Sequence, residues 1–213
     1  MSEAGGPVSE PRAGAVDPQV AAELPGLELS WVRCAVVPGP SPPGLRARLR
    51  ELSDRRRGLD AVALRTRPLP RAYRTFFRQI GLDPDVDRVP AERAAVQRLM
   101  HGGLPSTGRI ADACLLALVE TAVGVWALDA AAVGPDGPAI AVGPAGGLVV
   151  SGPGIVHAPL FGEPTAASAP GSRTRAVVLY AIAVPGVPRI HVHEALWQAA
   201  DALADAPDAL ADE

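Results

Sequence analysis

Runs of apolar residues bounded by glycine and proline predict short strands along the chain. The longest run is VVLYAIAV at residues 177–184, whose uninterrupted apolar character is typical of a strand at the centre of a sheet. Residues 31–37, WVRCAVV, predict another strand, because the turn-forming sequence PGPSPPG follows them directly. Shorter apolar runs predict four further strands at residues 61–64, 125–128, 139–142 and 147–150.

Apolar residues that recur every three or four positions predict helices between and after these strands. The clearest case is residues 71–80, where Tyr73, Phe76, Phe77 and Ile80 share one face. Aromatic residues in this arrangement could stack on nucleic-acid bases, but at helical spacing they more often belong to a core. Four more helices are predicted at residues 45–52, 90–100, 113–122 and 192–204, the third of them capped by Asp112.

The mixture of long helices with short, glycine-bounded strands predicts an α+β fold rather than a regular βαβ array. A chain of 213 residues is long enough for one domain of two or more layers, and we find no internal repeat or long linker. We expect one domain over residues 17–204. Residues 1–16, rich in Gly, Pro, Ala and Glu, predict a disordered segment, and residues 205–213 an acidic, frayed tail.

Composition places the chain among globular proteins, with 48% hydrophobic and 20% charged residues. No apolar run approaches the roughly 18 residues that span a bilayer, and no basic segment precedes an apolar one at the N-terminus. Cys34 and Cys114 are far apart in apolar surroundings, which predicts buried free thiols. We therefore expect a cytoplasmic protein without a membrane partner.

Positive charge is concentrated in one part of the sequence. Residues 33–109 contain 16 arginines and 7 acidic residues, a net charge of +9, whereas the rest of the chain has a net charge of −12. Such asymmetry can mark a surface that faces a polyanion. The alternative is that these arginines form solvated helix faces paired with the acidic part of the chain.

The order of motifs after residue 70 resembles that of a known family. Residues 73–105, YRTFFRQIGLDPDVDRVPAERAAVQRLMHGGLP, contain an aromatic helix, a G-x-D-P turn, a basic helix and a Leu-Pro pair. Residues 110–129, IADACLLALVETAVGVWALD, continue with an aspartate, a buried helix and a second aspartate. These features resemble the B3/B4 domain of the phenylalanyl-tRNA synthetase beta subunit in its stand-alone form. The resemblance covers about residues 20–200 and implies a single domain with β/β/α layers.

The resemblance implies that the protein binds tRNA and hydrolyses mischarged aminoacyl-tRNA in trans, because the synthetase domain holds an editing site. We expect no cofactor, no metal and no DNA partner, and the chain lacks the ATP-binding motifs that a complete ligase needs. The implied pocket for an aminoacyl or amino acid ligand comprises Leu104, Pro105, Asp112, Glu120, Trp126, Asp129, Arg173 and Thr174. The arginines expected to contact RNA phosphates are Arg71, Arg74, Arg78, Arg88, Arg93 and Arg98.

Several positions depart from the family pattern. Cys114 and Leu115 stand where the synthetase domain has Thr-Asn, and Trp126 stands where it has histidine. These replacements remove polar groups that would orient an ester and a water molecule, so the catalytic residues are unknown. The alternative function is an inactive binder of a small, amino acid-like ligand without RNA. The pI of about 5.8 favours this alternative, because dedicated RNA binders are usually basic.

Three polar motifs have both a functional and a structural interpretation. His191-x-His193-Glu194 could bind zinc if it ended a strand, or it could begin a helix with polar residues. His101, at the end of a predicted helix, could act in catalysis or cap the helix. Arg173 and Thr174 could hold a carboxylate or phosphate, or lie in a surface turn.

Overall fold

Two antiparallel sheets organise the part of the chain that the computed structural model describes, residues 10–55 and 63–204. The four-stranded sheet has the order β1-β2-β7-β3 and the three-stranded sheet the order β4-β5-β6. The strands are β1 (Arg12–Ala13), β2 (Glu28–Ala35), β3 (Val125–Asp129), β4 (Ala139–Val142), β5 (Leu148–Gly152), β6 (Ile155–Pro159) and β7 (Ala176–Ala183).

The long apolar run at residues 177–184 forms β7, a central strand of the larger sheet. β7 pairs with β2 on one side and with β3 on the other, and its residues 177–182 are inaccessible to solvent. A strand covered on both faces needs apolar side chains at every position, which explains why its sequence does not alternate.

Six α-helices in the described residues complete a mixed α+β single domain. The last two helices of the chain, Arg109–Thr121 and Arg189–Ala204, pack against each other and against the larger sheet. Their buried side chains are small or branched, such as those of Leu116, Ala117, Leu196 and Ala199. The helices are α1 (Pro18–Glu23), α2 (Pro43–Arg55), α3 (Pro68–Gln79), α4 (Pro90–His101), α5 (Arg109–Thr121) and α6 (Arg189–Ala204). The packed pair is α5 and α6.

The aromatic face of α3 belongs to the core. The rings of Tyr73, Phe76 and Phe77 surround Phe161, with ring centroids 5.1–6.0 Å apart. The Tyr73 hydroxyl donates a hydrogen bond of 2.7 Å to the carbonyl of Ile182 in β7. These side chains are only 1–3% exposed, so their helical spacing reflects packing in the core. In this position they cannot stack on nucleic-acid bases.

Most predicted elements are confirmed, with boundaries shifted by a few residues. Two strands and one helix were not predicted, namely β1, β6 and α1. The predicted strand at residues 61–64 is wrong where the structure describes it, because Ala63 is helical and a 3₁₀ helix begins at Leu64. Residues 61 and 62 lie outside the described residues, as does the predicted tail at residues 205–213.

The N-terminal segment corrects the expected domain boundary. Residues 10–16 were predicted to be disordered, but Arg12 and Ala13 pair with Trp31 and Ser30 of β2. Gly14 lies so close to Leu29 and Pro138 that a Cβ atom there would be 2.5 Å from both. Glycine is therefore required by close packing at a position where composition indicated disorder. Residues 1–9 lie outside the described residues.

The same segment joins the two sheets. Val16 forms a parallel bridge with Ile140 of β4. The carbonyl of Ala15 accepts a hydrogen bond from the Ile140 N–H, and the Asp17 N–H donates to the Ile140 carbonyl, each at 2.9 Å. Asp17 then caps α1 by accepting from the backbone N–H of Gln19. The ordered domain thus begins before residue 17.

Candidate functional site

A cleft of about 800 Å³ opens between α4, the start of α5, the strand β3 and the segment that follows β6. Its size falls within the range of roughly 300–1,000 Å³ that is typical of small-molecule sites. Much of its lining is apolar and comes from elements that pack on the larger sheet. The apolar side chains of its lining include those of Pro105, Ile110, Leu115, Leu118 and Trp126.

Trp126 gives the cleft a fixed aromatic wall. It lies opposite Tyr180 in the β3–β7 pairing, and the two rings stack with centroids 5.6 Å apart and planes 19° apart. Phe161 supports the indole ring from another side at 6.0 Å. Because Trp126 is only 8% exposed and is held by two other rings, the surface that it presents to a ligand is already formed.

Charged and polar side chains also line the cleft. Arg93 and Arg109 come from α4 and α5, and Glu163 comes from the segment after β6. The Nη1 of Arg109 donates to the carbonyl of Val37 at 3.2 Å, which fixes its direction. Burial raises the pKa of Cys114 to about 12, with a smaller contribution from Glu163, so this lining residue is an uncharged thiol near neutral pH.

Arg109 and Glu163 were not predicted as site residues. Arg109 is the first residue of the apolar helix α5 and Glu163 lies in a Gly-Glu-Pro segment, and neither position belongs to a recognisable motif. Their only signal in the sequence was charge beside apolar runs, which is common on surfaces. Folding brings them to one cleft, whose lining includes both the start of α5 and the segment that follows β6.

Asp112 supports the cleft and does not line it. Its carboxylate is completely buried and accepts hydrogen bonds from the hydroxyls of Ser41 and Ser106 and from the N–H of Thr107. These bonds hold the loop before α5, which includes the lining residue Pro105. The predicted N-cap role is wrong, because Gly108 is the N-cap and Asp112 lies in the first turn of α5.

The other predicted pocket residues are distributed over several parts of the fold. Pro105 and Trp126 line the cleft, whereas the predicted grouping of all eight residues around one pocket is not observed. Leu104 packs against the core, and the exposed Arg173 lies in the turn before β7. Glu120 pairs with Arg48 at 3.2 Å, and Asp129 accepts a hydrogen bond of 2.6 Å from Thr174.

The six arginines expected to contact RNA fall into two groups. Arg74 is 7% exposed, and its guanidinium donates to Glu92, Asp85 and the Pro84 carbonyl, so its hydrogen bonds are made inside the protein. Arg98 is partly buried and donates two hydrogen bonds, of 3.1 and 2.8 Å, to the Ser53 carbonyl. The exposed group consists of Arg71, Arg78, Arg88 and Arg93, of which Arg93 lines the cleft.

The histidine motifs have structural roles in this fold. His191 and His193 lie in the first turns of α6, and a 3.6 Å contact joins His191 Nδ1 to Glu194. His193 Nε2 lies 3.4 Å from the Ser30 hydroxyl. In residues 10–55 and 63–204, no three His, Cys, Asp or Glu side chains are grouped so that they could hold a metal ion. His101 lines the cleft, and its Nδ1 contacts the Gln97 carbonyl at 2.8 Å.

No family model matches the chain. No curated protein is significantly similar to it in sequence. None of the helices that the structure describes combines the length and apolar character needed to cross a membrane.

Proposed function

We propose that the protein is a tRNA-binding module with a B3/B4-like fold in β/β/α layers, and that its cleft receives the aminoacyl end of the tRNA. The observation that carries this proposal is an apolar cleft of about 800 Å³ with Arg93 in its lining. An aminoacyl ester presents an amino acid side chain next to a phosphate backbone. A site for it therefore needs an apolar cavity beside exposed cationic groups.

The exposed arginines supply such cationic groups, and Arg93 is the one among them that lines the cleft. Arg88 and Arg93 adjoin each other, since an Arg93 Nη atom lies 3.3 Å from the Arg88 carbonyl. Arg71 and Arg78 lie seven residues apart in α3, and this spacing of two helical turns puts them on the same exposed face. Contacts of this kind position an RNA backbone without reading its sequence.

Hydrolysis of the ester is the catalytic extension of this proposal. The cleft would hold the acyl group, and a water molecule would attack the ester carbonyl to release the amino acid and deacylated tRNA. His101 and Glu163 are polar lining residues within the same cleft. The activity would be that of an aminoacyl-tRNA deacylase acting in trans.

The test measures binding of deacylated and aminoacylated tRNA over a range of salt concentrations. A variant with Arg71, Arg78 and Arg93 changed to Ala should bind more weakly, and its plot of log Kd against log salt should become shallower by about two to three units. Each lost phosphate contact removes about 0.7–0.9 from that slope. Ester hydrolysis is followed in the same samples.

A matched control removes three exposed arginines from other parts of the chain. The variant Arg33→Ala, Arg175→Ala and Arg189→Ala loses the same charge and should retain most of the affinity and the slope. If both variants lost the same affinity for tRNA, the effect would come from net charge and not from the positions of the arginines. Absence of tRNA binding by the wild-type protein would refute the proposed function, whereas binding with deacylation would establish the enzyme.

A second candidate is a binder of a small, amino acid-like ligand that has no RNA role. It is favoured by the internal use of Arg74 and Arg98, which leaves fewer cations for phosphate than the sequence indicated. Binding to an apolar cleft should change little with ionic strength, because screening acts mainly on exposed charges. Salt-independent ligand binding without tRNA retention would select this candidate.

A further inference from the structure

β3 leaves one of its backbone edges open. Among the residues that the structure describes, it is the last strand of the larger sheet and pairs only with β7. The Ala130 N–H bonds to the Ala176 carbonyl at 3.0 Å, towards β7, whereas the Asp129 N–H bonds to the Ser168 carbonyl at 2.8 Å, away from it. Backbone groups alternate along an antiparallel pair, so the N–H and C=O of Ala127 and Val125 also point away from β7.

These open groups lie along the cleft. Val125 and Ala127 both belong to its lining. Outside the sheet ladder, no hydrogen bond among residues 10–55 and 63–204 uses the backbone of either residue. The chain covers this edge at Asp129, through Ser168, and residues 169–172 then continue as another part of the cleft lining.

A single residue on an open strand edge prefers a partner that both accepts from its N–H and donates to its C=O. In each hydrogen-bonded pair of an antiparallel sheet, the two facing residues exchange two bonds, one from each N–H to the other's C=O. A free amino acid derivative carries the same two groups as a strand residue: an amine that donates and a carbonyl that accepts. Backbone N–H and C=O groups in a cleft require partners, and such a ligand can satisfy both groups of one residue at once.

We propose that Ala127 recognises the main chain of the ligand, with its C=O accepting from the ligand's α-amino group and its N–H donating to the ligand's acyl carbonyl. This inference rests on the proposed function, since it specifies the ligand class of the same cleft as α-amino acids and their esters or amides. The apolar wall of Trp126 and Leu115 then receives an apolar side chain. The backbone thereby orients an acyl group at a place where side chains such as Cys114 offer little polarity.

Proline substitution tests the donor selectively. Ala127→Pro removes the outward N–H but no bond of the β3–β7 ladder, and proline is tolerated on an open strand edge. The preceding residue, Trp126, is already extended, as a residue before proline prefers to be. Ala127→Gly is the matched control, because it keeps the N–H at the same position.

The probes are small amides, measured without RNA by calorimetry. The wild-type protein and Ala127→Gly should bind at least one of L-phenylalaninamide, L-tyrosinamide, L-leucinamide and L-valinamide, and Ala127→Pro should bind it about tenfold more weakly. If none of the four amides binds the wild-type protein, the inference is overturned.

Phenethylamine separates hydrogen bonding from crowding by the proline ring, because it has the phenyl group and the amine of L-phenylalaninamide but no acyl carbonyl. Wild-type protein should bind it about tenfold more weakly than the amide, and Ala127→Pro should weaken it much less than it weakens the amide. Equal affinities of the two probes for the wild-type protein would overturn the inference, even if the proline variant did not fold. Equal losses in the proline variant would also overturn it.

The outcome is independent of the tRNA experiment. Amides that bind through Ala127 together with no tRNA binding would retain this inference and refute the proposed RNA role. Binding of tRNA with no amide binding would support the proposed RNA role and overturn this inference.

Discussion

His157 is a completely buried histidine in β6 with one hydrogen-bonding partner among the described residues. Its Nδ1 lies 2.9 Å from the Ser168 hydroxyl, and a Cβ at Gly152 would lie 2.8 Å from its Nε2. The Ser168 carbonyl in turn accepts from the N–H of Asp129, the residue that ends β3 just after the open part of its edge. A single buried side chain thus helps to hold the segment that runs into the cleft lining.

Acid should weaken the fold through His157. Burial lowers the pKa of His157 in the folded protein below its ordinary value of about 6.5. The unfolded chain therefore binds the proton first, so stability is fully present above about pH 6.5 and is lost as the pH falls through the folded-state pKa. We expect the free energy of unfolding to decline less steeply below pH 6.5 in His157→Gln than in the wild-type protein, as measured by urea denaturation.

The comparison must be made as a difference between the two proteins, because His193 also has a pKa lowered by burial. The glutamine keeps polar atoms for Ser168 but does not titrate in this range. A gap between the two unfolding free energies that stays constant from pH 8 to pH 5 would contradict the assignment.

At the scale of elements, Arg74 joins α3 to α4. Its guanidinium lies 2.9 Å from Glu92 of α4 and 2.8 Å from Asp85 of the connecting loop, and it also donates to the Pro84 carbonyl. The hydrogen bond with Asp85, together with the charges of both acids, raises the pKa of Arg74 against the effect of burial. Glu92 is only 3% exposed, and Arg74 is the cation that pairs with it.

Removing Arg74 should therefore cost much more than removing its exposed neighbour. Arg74→Ala leaves the Glu92 carboxylate buried without its cation, and the loss of one partner of a buried pair typically costs about 3–5 kcal/mol. Arg78→Ala, in the same helix, should change the free energy of unfolding by less than about 0.5 kcal/mol. Chemical denaturation of both variants measures the difference, and similar losses would show that the buried pair has no special weight.

This contrast also explains why Arg74 is absent from the variant that tests RNA binding. Its loss would reduce RNA binding through partial unfolding as well as through charge, and the two causes would not be separable. Substituting Arg71 and Arg78 with Ala removes two positive charges from the exposed face of α3 without breaking an internal ion pair.

At the scale of the whole molecule, residues 12–17 connect the two sheets. Arg12 and Ala13 extend the larger sheet, and Val16 bridges to Ile140 in the smaller one. Arg12 also stacks over the Trp31 ring, with its guanidinium carbon 5.4 Å from the ring centroid. A segment of a few residues therefore fixes the position of one sheet against the other.

Truncation should reveal this role. A chain that begins at residue 17 loses the β1 pairing and the Val16–Ile140 bridge, and we expect its melting temperature to fall by several degrees, since a loss of about 1 kcal/mol shifts it by roughly 2–4 °C at this size. A chain that begins at residue 10 keeps both contacts and is the control. Equal melting temperatures for the two truncated chains would exclude a stabilising role for residues 10–16.

Much of the fold was predictable because it depends on local pattern. The buried strand β7, the aromatic helix α3 and the buried helix α5 each have a run or period of apolar residues that only one kind of element can bury. The elements that were missed have no such pattern. β1 has two residues, and β6 contains His157 and ends at Pro159.

The candidate site was predictable only in part, for the same reason. Of the residues predicted for the pocket, Pro105 and Trp126 line the cleft, but the Asp112 carboxylate accepts a hydrogen bond from Ser41, which lies 71 residues earlier in the chain. A side chain's partners at such separations are set by packing, and helical or strand periodicity carries no information about them.

The sequence by itself determined where apolar surface must be buried, and with it the α+β class and most of the helices and strands. Only the tertiary structure decided which individual polar groups are buried and which partners they bind. Arg71, Arg74 and Arg78 share one face by helical period, yet Arg74 alone meets Glu92 and becomes part of the interior. Likewise, the open edge at Ala127 exists because β3 is the last strand in its sheet, and strand order depends on pairing between distant segments. Burial follows from local composition, whereas the pairing of polar groups depends on which segments meet.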